Sequence, residues 1–170
     1  MSGDIEIREA QRADYEKVAE MHYPVWLESY TGITVPHLLD IFVKHWADNV
    51  YPQRVSEGWT IMLAESDGEA VGVTIFGPQP GNPDHLEIDA LYIRQEDQRR
   101  GIGGVLLDMA LASQPSADVV LWCAEKNCKA RCFYEKKGFQ LDGRTFPWEP
   151  IPGVKAVELG YTLHRSVSQG

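Results

Sequence analysis

The chain has 170 residues, of which 44% are hydrophobic, and these values fit one globular domain spanning residues 1–170. No apolar run approaches the roughly 18–20 residues that a membrane helix needs, and the first residues lack the basic and apolar regions of a signal peptide. We therefore expect a cytoplasmic protein with no membrane partner. The formal net charge of -9 argues against nucleic acid as a partner, because nucleic-acid binding needs a basic face, and it would suit a cationic substrate such as an amine.

The first third of the chain carries one strand pattern followed by helical patterns. Residues 4–8 alternate between polar and apolar side chains, which predicts a β-strand. Asp14 is a candidate cap for a helix that Pro24 is expected to kink or interrupt. A second helical stretch follows and places Phe42 and Trp46 on one side.

The middle of the chain changes to strand patterns. Residues 60–64 and 70–76 flank Asp67 and Gly68, a dipeptide that marks a hairpin turn. Because residues 77–83 are rich in proline and glycine, they predict a loop.

The second half of the chain alternates between strands and helices. In chain order the sequence predicts a strand at 85–93, a helix at 103–112, a strand at 119–123, a helix at 127–137 that Gly138 ends, and strands at 139–141 and 156–163. The strand at 119–123 is apolar and β-branched, which predicts burial on both faces. A loop with Pro147 and Trp148 separates the last two strands. This order indicates a mixed sheet in an α/β or α+β protein.

Three cysteines, Cys123, Cys128 and Cys132, cannot all pair within the chain. Cys128 and Cys132 lie one helical turn apart, but no second Cys or His pair at metal-ligand spacing follows them. We therefore expect small thiols and no metal site. No His–Asp pattern in the sequence activates any of these cysteines as a nucleophile.

The segment between the strand at 85–93 and the next helix has the pattern of an anion-binding site. The start of a helix carries unpaired backbone N–H groups and the positive end of the helix dipole. Glycines at 101, 103 and 104 remove side chains that would keep a phosphate from the backbone, and Arg99 and Arg100 add positive charge. A diphosphate is the ligand that this pattern favours.

Three other interpretations of this segment were weighed. A P-loop would end in Gly-Lys-Ser/Thr, whereas Gly104 is followed by Val105, which excludes it. A dinucleotide-binding fingerprint would need glycine where Leu106 stands, and it would need repeated strand–helix units around it. A glycine-rich helix start that binds no ligand is the third interpretation.

Residues 98–104 resemble the acyl-CoA-binding signature of the Gcn5-related N-acetyltransferase (GNAT) superfamily, Gln/Arg-x-x-Gly-x-Gly/Ala. Residues 91–93 resemble the family's fourth strand, and residues 119–139 resemble its next strand and helix, with the frequent Phe-Tyr-x-x-x-Gly-Phe ending. The resemblance covers roughly residues 60–140. Residues 94–96 depart from the family pattern, which commonly has a proline there.

The resemblance implies a mostly antiparallel central sheet that splays apart at strands 4 and 5 and is flanked by helices. Acetyl-CoA is the implied acyl donor, with its pantetheine arm in the gap, bound by the main chains of Leu91 and Ile93. Asn127 either contacts this cofactor or only caps its helix. The implied cofactor-binding residues are Leu91, Tyr92, Ile93, Gln98, Arg99, Arg100, Gly101, Ile102, Gly103, Gly104, Asn127 and Phe133.

The family reaction is a direct attack of a neutral amine on the thioester carbonyl, which the N–H of Leu91 is placed to polarise. Glu87 stands eleven residues before Gln98, where some family members carry a catalytic glutamate that acts as base or water relay. Asp89 is the other candidate base, and it shares a strand face with Glu87 if no bulge intervenes. Either carboxylate could instead orient the substrate or face solvent. Tyr134 matches the family tyrosine that protonates the leaving thiolate, although a core tyrosine is the alternative.

Trp26, Tyr30 and Trp148 lie in segments that border the acceptor side of the related fold, where they line a pocket or only pack the helices on the sheet. Residues 147–152 are the candidate lid. These features predict an N-acetyltransferase that acts on a primary amine of a small molecule or peptide. The alternatives are an acyltransferase that uses another donor such as succinyl-CoA, and a non-catalytic acyl-CoA sensor domain. A homodimer is expected only by analogy with relatives.

Overall fold

The structure, a computed structural model, describes residues 3–31 and 36–165. Its strands are β1 (Ile5–Glu9), β2 (Thr60–Ser66), β3 (Glu69–Gln79), β4 (Asn82–Ile93), β5 (Val119–Ala124), β6 (Gln140–Ile151) and β7 (Val154–Leu163). Its α-helices are α1 (Tyr15–Thr31), α2 (Pro36–His45), α3 (Tyr51–Ser56), α4 (Ile102–Ser113) and α5 (Cys128–Lys136). A π-helical turn, Trp46–Val50, joins α2 to α3.

Within the described residues the strands form one seven-stranded sheet in the order β1-β2-β3-β4-β5-β7-β6. Every neighbouring pair is antiparallel except β4 and β5, which run parallel. The parallel pair is registered at Leu86 with Val119 and ends at Ile88 with Leu121, after which the two strands part. The mixed, mostly antiparallel sheet that opens between strands 4 and 5 confirms the predicted fold class.

Helices cover both faces of the sheet and enclose a separate core on each side. On one face, α1, α2 and α3 pack on the central strands around Val18, Tyr51 and Val73. On the other face, α4 and α5 pack around Leu107 and Tyr161. No helix in the described part of the chain is long and apolar enough to cross a bilayer.

Helix α1 differs from its prediction in two details. It runs through Pro24 without a break, although proline removes the N–H that would donate to the carbonyl of Glu20. Packing holds the helix on both sides of Pro24, because Tyr23 stacks on Phe42 with ring centroids 4.9 Å apart. Asp14 does not cap α1. Its carboxylate accepts a 2.8 Å hydrogen bond from the N–H of Gln11, at the start of the preceding 3₁₀ turn.

The first hairpin was predicted correctly and the second was not. Asp67 and Gly68 both have positive φ, which is the geometry of the tight turn expected between β2 and β3. The loop predicted for residues 77–83 is wrong, because β3 extends to Gln79 and β4 begins at Asn82. Gly77 continues the strand at a place where a side chain would not fit, since a Cβ there would lie 2.6 Å from the ring of Trp59.

The last three strands leave one face of the sheet open where the sequence predicted burial or a loop. β5 is not buried on both faces, because Trp122 is 38% exposed. The segment at 147–152 is not a loop either, since residues up to Ile151 belong to β6 and Gly153 turns the chain into β7. Two prolines are tolerated in β6 because it is the edge strand.

Candidate active site

The gap between β4 and β5 forms a cleft, which we call the acyl cleft. Asp89 and Leu91 line it from β4, Cys123 from β5, and Tyr134 from α5. It exists because the strands separate beyond Ile88, which leaves the facing edges of both strands without a strand partner on that side.

Backbone polar groups of β4 point into the acyl cleft. The N–H of Arg94 donates a 2.8 Å hydrogen bond to Val71 in β3, so Arg94 directs its backbone groups toward β3. Hydrogen-bonding direction alternates along an antiparallel strand, and Tyr92 therefore also faces β3. Leu91 and Ile93 face the opposite way, into the cleft. Their N–H groups and the carbonyl of Leu91 are available to an extended ligand that takes the place of a missing strand, whereas the carbonyl of Ile93 accepts a hydrogen bond from the side chain of Gln98.

Helix α4 begins beside the open end of the cleft. Gly101 precedes it with a φ of +79°, a conformation that glycine adopts at no cost, and nothing lies within 4 Å of a Cβ built there. The first N–H to donate within this turn is that of Val105, which reaches the carbonyl of Gly101 at 3.2 Å. The side chain of Gln98 donates to the carbonyl of Ile93 at 3.1 Å, and this bond ties the glycine-rich turn to the end of β4.

Two cations near this turn have defined contacts. The guanidinium of Arg100 donates to Asp97 at 2.7 Å and to the carbonyl of Gly3 at 3.0 Å. Lys137, which the sequence analysis missed, approaches from the end of α5. Its Nζ lies 3.4 Å from the Cβ position of Gly104 and 5.9 Å from the centre of the Phe133 ring. Its place directly before Gly138 is a signal only of a helix end, so nothing local pointed to this role.

Tyr134 is buried in the wall of the acyl cleft. Its ring packs edge-on against Phe133 and Phe139, with centroids 5.3 and 5.6 Å away. Burial raises the pKa of Tyr134 above its ordinary value, and the nearby Cys123 and Tyr92 act in the same direction. The phenol is therefore protonated at neutral pH and able to donate a proton.

Asn127 and Cys123 flank Tyr134 in the cleft wall. Asn127 caps α5, because its side-chain oxygen accepts a 3.2 Å hydrogen bond from the N–H of Ala130, and it also lines the cleft. Cys123 is 5% exposed, and burial raises the pKa of its thiol to about 12. A thiol that is protonated at neutral pH is a poor nucleophile. The described residues contain no His, Cys, Asp and Glu cluster that could hold a metal ion.

A β-bulge separates the two candidate bases. Ile75 pairs with Ala90 while Phe76 pairs with Ile88, so Asp89 is the extra residue in β4. Glu87 is 9% exposed, whereas the Asp89 carboxylate is 36% exposed and opens into the cavities on either side of it.

Both carboxyl groups have raised pKa values. Burial is the main cause for each, and the negative charge of Asp89 raises the pKa of Glu87 further. Arg54 opposes both shifts, and it reaches Asp89 at 3.4 Å. A carboxyl group with a raised pKa holds its proton more firmly, so each of these groups is a better proton acceptor when ionised than an ordinary carboxylate.

A third carboxylate, Glu158 on β7, was missed by the sequence analysis. It is 6% exposed and accepts a 2.5 Å hydrogen bond from the hydroxyl of Tyr30, a residue of the acyl cleft. Burial raises the pKa of Glu158. No local motif marks this residue, because only the pairing of β7 with β5 brings it opposite Ala124.

A second cavity of about 260 Å³ adjoins the acyl cleft on the side of α1 to α3. Its walls are mainly rings, and we call it the aromatic cavity. Two of the predicted acceptor-side residues, Trp26 and Trp148, line it, whereas Tyr30 lines the acyl cleft. Asp89, Ala90 and Tyr92 line both spaces, so they form the junction between them.

A sheet opened between two parallel strands, with a glycine-rich helix start beside the opening, defines the acyl-CoA N-acyltransferase class of fold. The acetyltransferase (GNAT) family model matches residues 12–139, and the chain belongs to that family. It is an acyl-CoA-dependent N-acetyltransferase, whose reaction transfers an acetyl group to an amine.

Known proteins resemble the chain over nearly its whole length. The probable N-acetyltransferase Rv2775 of Mycobacterium tuberculosis is 54% identical over 170 residues, which span 98% of each chain. The PaiA N-acetyltransferase of Thermoplasma acidophilum, solved in complex with coenzyme A, superposes with a TM-score of 0.67 at 19% identity, covering 92% of this chain and 98% of that one. An N-acetyltransferase of Staphylococcus aureus Mu50 superposes with a TM-score of 0.73 at 19% identity, covering 96% of this chain and 99% of that one.

Proposed function

We propose that the acyl cleft binds acetyl-CoA and that a primary amine attacks its thioester at the junction with the aromatic cavity. The observation that carries this proposal is the separation of β4 from β5 beyond Ile88, which turns the backbone of Leu91 and Ile93 toward an open space beside the start of α4. A pantetheine arm has amide groups that match such an edge, and a diphosphate matches the N-terminus of a helix.

Groups at the start of α4, in the turn before it and at the end of α5 bind the acyl donor. The first amides of α4 bind the diphosphate, with Gly101 and Gly103 allowing close approach. Arg99 and Lys137 supply positive charge there, and the contacts of Arg100 with Asp97 and Gly3 support a structural role for that arginine. The other cofactor contacts that the family resemblance implies, at Tyr92, Gln98, Ile102, Gly104, Asn127 and Phe133, stay predictions.

The acyl transfer needs one group that accepts the amine proton and another that protonates the leaving thiolate. The amine loses its proton to Glu87, directly or through water, with Asp89 holding the amine beside it. The nitrogen then forms a bond to the thioester carbonyl carbon, whose developing negative charge the N–H of Leu91 stabilises. As the C–S bond breaks, Tyr134 donates its proton to the leaving thiolate of coenzyme A, and the proton that the attacking nitrogen loses on becoming an amide restores the phenol.

Tyr134 lines the acyl cleft, and Glu87 is a buried carboxyl group close to Asp89, although it lines neither cavity. The presence of both groups supports a catalyst over a binding domain, which needs neither. The acyl chain is proposed to be acetyl, with succinyl as the competing donor. A cytoplasmic location and a homodimer stay predictions.

The test is the release of coenzyme A thiol from acetyl-CoA or succinyl-CoA in the presence of an amine panel. Tyr134→Phe is expected to lower kcat by about 100-fold or more, because general acid catalysis contributes on that scale. Acetyl-CoA affinity, measured by calorimetry, is expected to stay within about twofold. Tyr15→Phe is the matched control, since Tyr15 is buried against Tyr51 and lines neither cavity. An unchanged kcat for Tyr134→Phe would refute the acid role.

A further inference from the structure

The composition of the aromatic cavity restricts the acceptor. Six ring side chains share its wall: His22, Trp26, Trp46, Tyr51, Tyr92 and Trp148. They brace one another, with His22 and Trp46 4.6 Å apart and Trp26 and Trp46 5.5 Å apart between ring centroids. The cavity thus presents preformed ring faces and edges.

Two of these rings have their polar atoms engaged. Nδ1 of His22 lies 2.9 Å from the hydroxyl of Tyr51, so these groups satisfy each other. Burial lowers the pKa of His22 to about 3, which makes the imidazole neutral at physiological pH. The deep wall of the cavity therefore offers no charge to a ligand.

The charged groups lie at the junction with the acyl cleft. Asp89 lines both spaces, and Glu87 lies close enough for Asp89 to raise its pKa. Arg54 is the cation at this place, but it is occupied by its 3.4 Å ion pair with Asp89 and by the ring of Trp59, 5.0 Å away. Asp89 is the carboxylate in the lining of both spaces, so it is the group that can accept a hydrogen bond from an acceptor nitrogen, beside the guanidinium that already pairs with it.

We propose that the acceptor is a small aromatic monoamine of the 2-phenylethylamine type, whose ring occupies the aromatic cavity and whose nitrogen lies at Asp89. This inference rests on the acetyl transfer proposed above and names its substrate class. The ring contacts Trp26, Trp46 and Trp148 by stacking or edge-to-face packing. The nitrogen at the junction faces the thioester in the acyl cleft.

Size and charge both separate this class from other amines. The cavity of about 260 Å³ is larger than the roughly 150 Å³ that holds a benzene molecule, which leaves room for a ring and a short aliphatic arm. A polyamine would place its second ammonium among rings with no carboxylate at that end. An amino acid would place a carboxylate beside Glu87 and Asp89, where like charges repel.

The experiment compares 2-phenylethylamine, ethylamine, spermidine, phenylalanine and an alanyl peptide as acceptors at saturating acetyl-CoA. We expect kcat/KM for 2-phenylethylamine to exceed that for ethylamine by about 100-fold, because the site loses the whole ring contact with the smaller amine. Faster turnover of spermidine, phenylalanine or the peptide would overturn the inference and leave the acetyl transfer standing. Binding of 2-phenylethylamine is measured separately by tryptophan fluorescence without acetyl-CoA, and failure to bind at millimolar concentration overturns the inference whatever the donor does.

Matched variants locate the ring. Trp148→Ala removes a cavity wall on an edge strand and is expected to lower the preference for 2-phenylethylamine over ethylamine by about tenfold. Leu141→Ala is the control, since Leu141 is 53% exposed on the same strand and does not line the cavity. Equal preferences in both variants would place the ring elsewhere.

A second pair of variants locates the nitrogen. Asp89→Asn is expected to raise the amine KM by about tenfold or more, while Asp84→Asn, on an exposed part of the same strand, leaves it unchanged. An unchanged KM for Asp89→Asn would contradict the placement at the junction.

Discussion

The hydroxyl of Tyr30 donates a 2.5 Å hydrogen bond to Oε1 of Glu158 and so joins the end of α1 to β7, across the acyl cleft from Tyr134. Both partners are shielded from water, and burial raises the pKa of the Glu158 carboxyl while the Tyr30 hydrogen bond lowers it. The hydrogen bond offsets part of the free-energy cost of burying the Glu158 carboxyl. It also fixes the end of α1, the helix that carries Trp26, which lines the aromatic cavity.

Tyr30→Phe is expected to destabilise the fold by about 1–3 kcal/mol, because the variant leaves a buried carboxyl group without its donor. Tyr30→Phe combined with Glu158→Gln is expected to cost less than the sum of the two single variants, since the loss of the bond is counted twice in that sum. Urea unfolding of the four proteins gives the coupling free energy. If the effects of the two single variants on the free energy of unfolding simply add, the hydrogen bond contributes no coupling free energy in solution.

The pH dependence of acetyl transfer is expected to report on Glu87 and Asp89. Their raised pKa values keep both groups protonated to a higher pH than ordinary carboxyls near pKa 4. A protonated carboxyl cannot accept the amine proton, so kcat/KM for the amine falls as the pH decreases through the raised pKa. The acid limb of the pH–rate profile, where kcat/KM falls, should therefore lie at a higher pH than the pKa range of ordinary carboxyl groups.

Glu87→Gln distinguishes the two carboxylates. If Glu87 accepts the proton, the variant loses most of its activity, and the remaining rate no longer shows this acid limb. If the limb persists in Glu87→Gln and disappears in Asp89→Asn, Asp89 is the base. The measurement is a full pH–rate profile for each protein, with thermal unfolding at each pH to exclude loss of the fold.

The sequence predicted the strand and the helix of the proposed donor side because they are encoded locally. A strand, a glycine-rich turn and a helix follow one another in residues 85–113, and neighbours in sequence remain neighbours in space. Tyr134 was placed in the same way, through the pattern of α5 and its end at Gly138.

The acceptor side depends on pairings between distant residues, and the sequence analysis described it less well. The bulge at Asp89 is a mismatch between β3 and β4, which neither strand shows by itself. The pairing of β6 with β7 turns the expected loop around Trp148 into an edge strand. Glu158 reaches Tyr30 across 128 residues of sequence, so no spacing rule could have connected them.

The stability of the fold is expected to fall in mild acid because of His22. Its folded pKa of about 3 is below the ordinary value of 6.5, since burial opposes the charged form. The contribution of His22 to stability is therefore complete above pH 6.5 and is lost as the pH falls from there toward 3, by about 1.4 kcal/mol per pH unit.

His22→Gln should flatten the part of the stability profile between pH 6.5 and 4 relative to the parent protein, although it lowers stability at neutral pH by removing ring contacts. His45→Gln is the control, because His45 is exposed on α2. Guanidinium unfolding at several pH values measures both. Parallel profiles for His22→Gln and the parent would show that His22 remains protonatable in the fold.

Arg165 is expected to anchor the C-terminal end of α4, the helix whose start is the proposed diphosphate site. Its guanidinium donates to the carbonyls of Leu111 at 2.8 Å and Ala117 at 2.9 Å, and also to that of Gln114. The last carbonyls of a helix lack intrahelical donors, so these bonds satisfy the end of α4. Arg165→Met removes all of them and is expected to destabilise the fold by about 1–3 kcal/mol.

Arg165→Lys tests whether the end of α4 is stabilised by the geometry of the guanidinium group or by its positive charge. A lysine keeps the positive charge near the negative end of the helix dipole but cannot span the diverging carbonyls as a planar fork does. We expect it to recover less than half of the lost stability in urea unfolding, with acetyl-CoA affinity unchanged in both variants because the proposed diphosphate site is at the opposite end of α4. Full recovery by lysine would assign the effect to charge alone.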